Sequence, residues 1–209
     1  MIITEIKKNR NAPGYAVFAD GQFLFSLDGE TILSEGLTKG SHLTEEDAER
    51  LQNLSLYYKA KEKALRLLDK RAHSKNEIIR KVSENYPREA AEKAADSLEE
   101  LGLINDREFA VLYVRELSEF KRFGIRRIVT ELYKKGVDRE IIDEVTAELR
   151  EKDNSEVICE MLSRKRFDLS DEKVRRRVFG KLMRDGYSYD DINKAFAAFS
   201  DGQESDTYD

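Results

Sequence analysis

The chain has 209 residues, of which 40% are apolar and 38% charged, with no tryptophan, two prolines and one cysteine. That composition favours helix; it argues against an all-β sandwich, a collagen-like chain and a disulfide scaffold, and no run approaches the ~20 apolar residues of a membrane span. The formal net charge of −5 is uneven, at −4 over residues 1–57, +3 over 58–200 and −4 over 201–209, so a mildly basic body between acidic ends stays compatible with nucleic acid or with a partner that carries it.

The N-terminus, Met1-Ile2-Ile3-Thr4-Glu5, lacks the basic-then-apolar layout of a secretory signal. Cys159 has no second cysteine to bond with, which fits a reducing cytosol, so a cytoplasmic location is expected. Residues 1–43 form a β-hairpin region. Ile2–Lys8 is a short strand, and Tyr15–Ala19 and Gln22–Leu27 flank Asp20-Gly21. Asp-Gly between β-rich runs signals a type I′ turn, because both central residues need positive φ. That turn predicts that Phe18 pairs with Phe23 and Ala16 with Phe25, on a face that needs a cover. Thr44, followed by Glu45, Glu46 and Asp47, supplies a cap acceptor and first-turn acids for a helix. The helical pattern then runs almost unbroken to Phe199.

This helical region carries a repeat of about 50 residues. Ile78, Ile128 and Val178 share the spacing, as do Val82, Leu132 and Leu182 four residues later. Each pair lies on one helical face. Gly136 and Gly186 follow, placed to end a helix in the left-handed conformation. Asp138 and Ser188 stand where the next helix is capped, and Ile142 and Ile192 begin its apolar stripe. The fold class expected is therefore mainly α: three tandem three-helix repeats behind the small β region. The divisions are 44–57 as a connecting helix, 58–108, 109–152 and 153–200 as repeats, and 201–209 as an acidic disordered tail. Three helices per repeat fit this period better than the two of HEAT units.

No constellation for catalysis, metal or nucleotide is present. His42 and His73 lack ligand neighbours, no phosphate-loop motif occurs, and no nucleophile has a base beside it, so no enzyme activity, metal or cofactor is expected. The polar feature that remains is a set of basic clusters: Lys121, Arg122, Arg126 and Arg127 around Phe123-Gly124, then Arg164-Lys165-Arg166, then Arg175-Arg176-Arg177 on a helix that also carries Lys181 and Arg184. They suit a row of phosphates or an acidic protein filament. Interspersed acids equally suit an ion-paired helical surface. Phe120 and Phe123, interleaved with these cations, are read as helix packing ahead of base stacking.

The stretch Leu101-Gly102-Leu103-Ile104-Asn105-Asp106-Arg107-Glu108-Phe109-Ala110 resembles the central signature of the RecX family, bacterial regulators of the RecA recombinase. Ala64-Leu65, Leu67-Leu68, Lys70-Arg71, Ser74 and Glu77-Ile78 resemble that family's first repeat, and Gly124-Ile125, Ile128, Glu131-Leu132 and Lys135-Gly136-Val137 its second. The resemblance covers roughly residues 58–200. It implies a curved, elongated helical array, helix-turn-helix-like in its units and monomeric. It implies a negative regulator of recombination and the SOS response that docks in the groove of the RecA–single-stranded-DNA filament. There it would block extension or promote disassembly, and so inhibit RecA's ATP hydrolysis and strand exchange. In the signature, Gly102 is expected to end a helix, Asp106 to cap the next and Phe109 to pack. The acidic total makes RecA protein the better primary partner than DNA alone. A helical DNA-binding module acting without RecA, and a protein-only scaffold, are the alternatives.

Overall fold

The computed structural model describes residues 1–10, 13–165 and 167–205, except for the side chains of 165 and 201–205. The backbone divides into two compact units, Met1–Asn105 and Asp106–Asp209.

The first unit opens with strands β1 (Ile3–Lys8), β2 (Tyr15–Ala19) and β3 (Gln22–Leu27) in an antiparallel sheet of that order. Asp20 and Gly21 take φ of 49° and 79°, the two left-handed residues a type I′ turn requires. Phe18 faces Phe23 as expected, but the expected pairing of Ala16 with Phe25 is corrected: a bulge makes Val17 the partner of Phe25 and Ser26 that of Ala16. Inserting one residue into a strand exchanges its two faces. Phe25 and Leu27 therefore turn into the core with Val17, whereas Phe23 stays 59% exposed.

The cover on the sheet comes from α1 (Gly29–Ser34) and α2 (Glu45–Leu68). Thr44 and Asp47 close a reciprocal capping box at the start of α2. This helix runs 24 residues without a break, because neither glycine nor proline interrupts it. The stretch read as a connector and the first helix of the first repeat are thus one rod. Its first half buries Ala48 and Leu51 under the sheet. Its second half buries Ala60 and Ala64 against α3 (Lys75–Ser83) and α4 (Arg88–Glu100). Ser74 caps α3 by accepting from the Glu77 amide at 3.1 Å, and Gly102, with φ of 70°, follows the end of α4.

The second unit holds two repeats. The first of them is α5 (Asp106–Arg115) with a π-helical turn at Glu116–Phe120, α6 (Ile125–Lys134) and α7 (Arg139–Glu151). The other is α8 (Ser155–Lys165), α9 (Glu172–Arg184) and α10 (Tyr189–Ser205). The chain is therefore mainly α, with three three-helix repeats behind a small sheet. The 50-residue periodicity is the periodicity of burial: Ile78, Ile128, Val178, Val82, Leu132 and Leu182 are all in repeat cores. Gly136 and Gly186 have φ of 73° and 96°. Phe109 packs in the second core. Asp106 is the first residue of α5 and not the cap before it, so its charge complements the helix dipole from inside the first turn. The helix α10 reaches Ser205, and residues 206–209 lie outside the described residues.

Candidate interaction surface

The basic residues of the second unit are arranged by a backbone contact between its two repeats. The first amides of a helix have no partner within it. At the start of α6, the Gly124 amide donates to the Asp185 carbonyl at 2.8 Å and the Arg126 amide to the Gly186 carbonyl at 3.2 Å. Those carbonyls belong to the turn that ends α9. The approach needs two glycines. A Cβ on Gly124 would lie 2.4 Å from the Gly186 carbonyl group and the Tyr187 amide, and one on Gly186 would lie 2.4 Å from the Arg127 amide.

Side chains close over this contact. Arg127 Nη1 sits 2.7 Å from Asp185 Oδ1, and Lys181 binds the other carboxylate oxygen. The Arg127 guanidinium also lies over the Phe123 ring, 3.7 Å from its centroid. The Tyr187 hydroxyl donates to the Arg122 carbonyl at 2.9 Å, and burial pushes its pKa up to about 12. Arg122 itself is held at φ of 54°.

Apart from Arg175, the predicted basic residues whose side chains are described separate into three groups. Arg122 and Arg127 belong to the contact between the repeats. A second group is neutralised on the surface: Lys121 by Glu116 at 2.8 Å, Arg164 by Glu160 at 2.7 Å and Arg176 by Glu172 at 2.5 Å, with the Lys121 ammonium held above its usual range by its Glu116 hydrogen bond. Arg175 turns toward the Phe196 ring, 5.8 Å from its centroid. The third group is Arg126 and Arg177, both exposed and without an ion pair among the described residues. The side chain of Lys165, and the whole of Arg166, lie outside the described residues.

Arg177 shares its side of α9 with Lys181 and Arg184, and with Lys173, which stands apart from the basic runs. Lys173, Arg177, Lys181 and Arg184 recur at intervals of four, four and three along α9, so they share one face, across the helix from Arg175 and to one side of the buried Val178 and Leu182. All four are exposed. Lys173 and Arg184 also hold no ion pair among the described residues. The only signal for Lys173 was helical spacing, which a search for adjacent cations does not register. At the end of α9 the backbone reaches the start of α6, whose second residue is the exposed Arg126.

Among the described residues no three His, Cys, Asp or Glu side chains gather as a metal site. Burial holds the pKa of the partly buried Cys159 thiol above its usual value, the opposite of an activated thiolate. No described helix is long and apolar enough to cross a membrane.

Residues 105–145 match the family described as RecX, second three-helix domain. Regulatory protein RecX of Listeria welshimeri is 32% identical over 194 residues, covering 90% of this chain and 72% of its own length. Regulatory protein RecX of Clostridioides difficile is 28% identical over 198 residues, 92% of this chain and 93% of that protein. Among solved structures, a crystal structure of regulatory protein RecX superposes with a TM-score of 0.66 at 23% identity, over 94% of this chain and 98% of that one. RecX from Lactobacillus salivarius superposes with a TM-score of 0.55 over 69% and 97%.

Proposed function

The chain belongs to the RecX family, and from that membership we propose that it is a negative regulator of the RecA recombinase. It binds the RecA–single-stranded-DNA filament along its groove and blocks extension or promotes disassembly. RecA's ATP hydrolysis and strand exchange fall as a result, and with them recombination, repair by that route and the SOS response. The protein acts in the cytoplasm, hydrolyses nothing and needs no cofactor.

The observation that carries the binding mode is the cation row of Lys173, Arg177 and Arg184 with Arg126, free of ion pairs among the described residues and set on two helices whose backbones are hydrogen-bonded together. A rigid row suits a ligand whose charges repeat, and weak contacts to successive filament subunits combine through effective concentration. Binding to one filament conformation shifts the equilibrium toward it. Of the basic residues read from sequence, Arg126 and Arg177 support this contact most directly. Arg175, Arg176, Lys121 and Arg164 are engaged within the chain, and Arg122 and Arg127 hold its frame.

The test is RecA's DNA-dependent ATP hydrolysis with this protein titrated in below the RecA concentration. Inhibition at a few per cent of RecA is expected. No inhibition at equimolar protein with the cognate RecA removes the regulator reading and leaves a helical DNA-binding module, which a steep salt slope of binding to DNA alone would identify.

A further inference from the structure

Phe120 departs from the packing role its spacing suggested. Phe123 packs against the second core and under Arg127, but Phe120 is 78% exposed. It ends the π-helical turn, where the Lys121 amide reaches five residues back to the Glu116 carbonyl at 3.2 Å. In a regular α-helix, residues eight apart are rotated by about 80°. A π turn takes up roughly one residue more than an α turn. It therefore returns Phe120 to the line of Leu112 and Glu116 along α5. Leu112 is 52% exposed and the adjacent Val111 46%. The wide turn thus sets an aromatic ring and a leucine on one solvent face. The backbone beyond it is pinned by the left-handed Arg122, whose carbonyl holds Tyr187, and by the Phe123 amide on the Leu117 carbonyl at 3.0 Å.

The charges around this face decide what covers it. Lys121 is bound to Glu116 at 2.8 Å and Arg115 to Glu119 at 3.1 Å, and the next cation in the chain, Arg122, is paired with Glu160 at 3.6 Å. A polyanion gains little where cations are already compensated. An exposed ring circled by paired charges is instead the layout of a protein hot spot, with an apolar anchor and a polar rim. Resting on the reading of this chain as a RecA regulator, we infer that Phe120, supported by Leu112, is the anchor that enters an apolar pocket on a RecA protomer. The face at the π turn thus meets protein, not phosphate.

Because the chain has no tryptophan, F120W places one fluorophore at the site. Adding RecA–single-stranded-DNA filament should shift its emission to the blue and shield it from acrylamide, with the wild-type chain plus filament as the blank. Oligonucleotide alone should leave it unchanged. F120A should raise the concentration for half-inhibition of RecA's ATP hydrolysis roughly tenfold or more, and F120L should restore most of the potency. Quenching of the F120W indole by oligonucleotide alone would show base stacking and overturn the assignment. So would an F120A protein as potent as wild type. If the wild-type chain itself leaves hydrolysis unchanged, the regulator reading fails and this inference with it; if only the Phe120 variants behave as wild type, this inference alone fails.

Discussion

Gly124 and Gly186 bring two backbones to a separation that no side chain allows, and that fact orders the residues around them. A methyl group at either position would meet main-chain atoms at 2.4 Å, which cannot move as a flexible side-chain end can. Gly124→Ala should therefore lower the stability of the second unit by about 1–3 kcal/mol, read as a fall in the urea midpoint at unchanged slope. Gly186→Ala should cost more, because φ of 96° adds backbone strain to the clash. Tyr187 supplies a pH signature. Its pKa in the folded chain is pushed up to about 12 from 10 for a free tyrosine, so above pH 10 the unfolded chain releases a proton that the folded chain keeps. Stability should be level in this respect below pH 10 and decline as pH rises toward 12, by about 2–3 kcal/mol in the limit. The difference in urea midpoint between wild type and Y187F, followed from pH 9 to 12, isolates this effect from lysine titration. In the sequence, Gly186 was legible as a helix end, but the role of Gly124 was not, since a close approach between segments 60 residues apart leaves no local mark.

At the scale of elements, α9 and α2 make opposite demands. Helix α9 keeps one side in the third core, through Val178 and Leu182, and turns Lys173, Arg177 and Arg184 to solvent. Reversing exposed charges disturbs a fold little. R177E/R184E should keep the melting temperature of wild type while losing most inhibition of RecA, and the salt dependence of filament binding should flatten. R176E, whose parent side chain is paired to Glu172, should weaken inhibition less. Helix α2 is a structural member. It carries the sheet on one half and the first repeat on the other, so a break at its middle uncouples two cores. Tyr58→Pro should cost about 3 kcal/mol or more, seen as a broadened or split thermal transition. The start of α2 was legible from Thr44 and its acids; its length was not, because the repeat spacing divided at residue 58 a helix that nothing interrupts. The π turn was not legible, because nothing in Glu116-Leu117-Ser118-Glu119-Phe120 distinguishes an i+5 bond from an i+4 bond until the packing of Leu117 and Phe123 demands it.

At the scale of the whole molecule, residues 106–205 hold two complete repeat cores and the glycine contact that joins them. Produced alone, this segment should unfold cooperatively by circular dichroism, because a stacked pair of repeats buries surface that a single one leaves wet. What the sequence by itself determined was the class of fold, the 50-residue repeat, the positions of the core residues, the turn at Asp20-Gly21 and the family. Each of these is written in local spacing: helical periodicity, a cap, a turn residue or a contiguous motif. Tertiary structure alone decided the register of the hairpin, where a bulge sends Phe25 inward and leaves Phe23 out. It also decided which arginines are free and which are frame. Arg126 and Arg127 are adjacent in the chain, but Arg127 meets Asp185, 58 residues away, while Arg126 faces solvent. A cation's availability depends on carboxylates that folding brings beside it, and that pairing between distant segments has no period for a sequence to display.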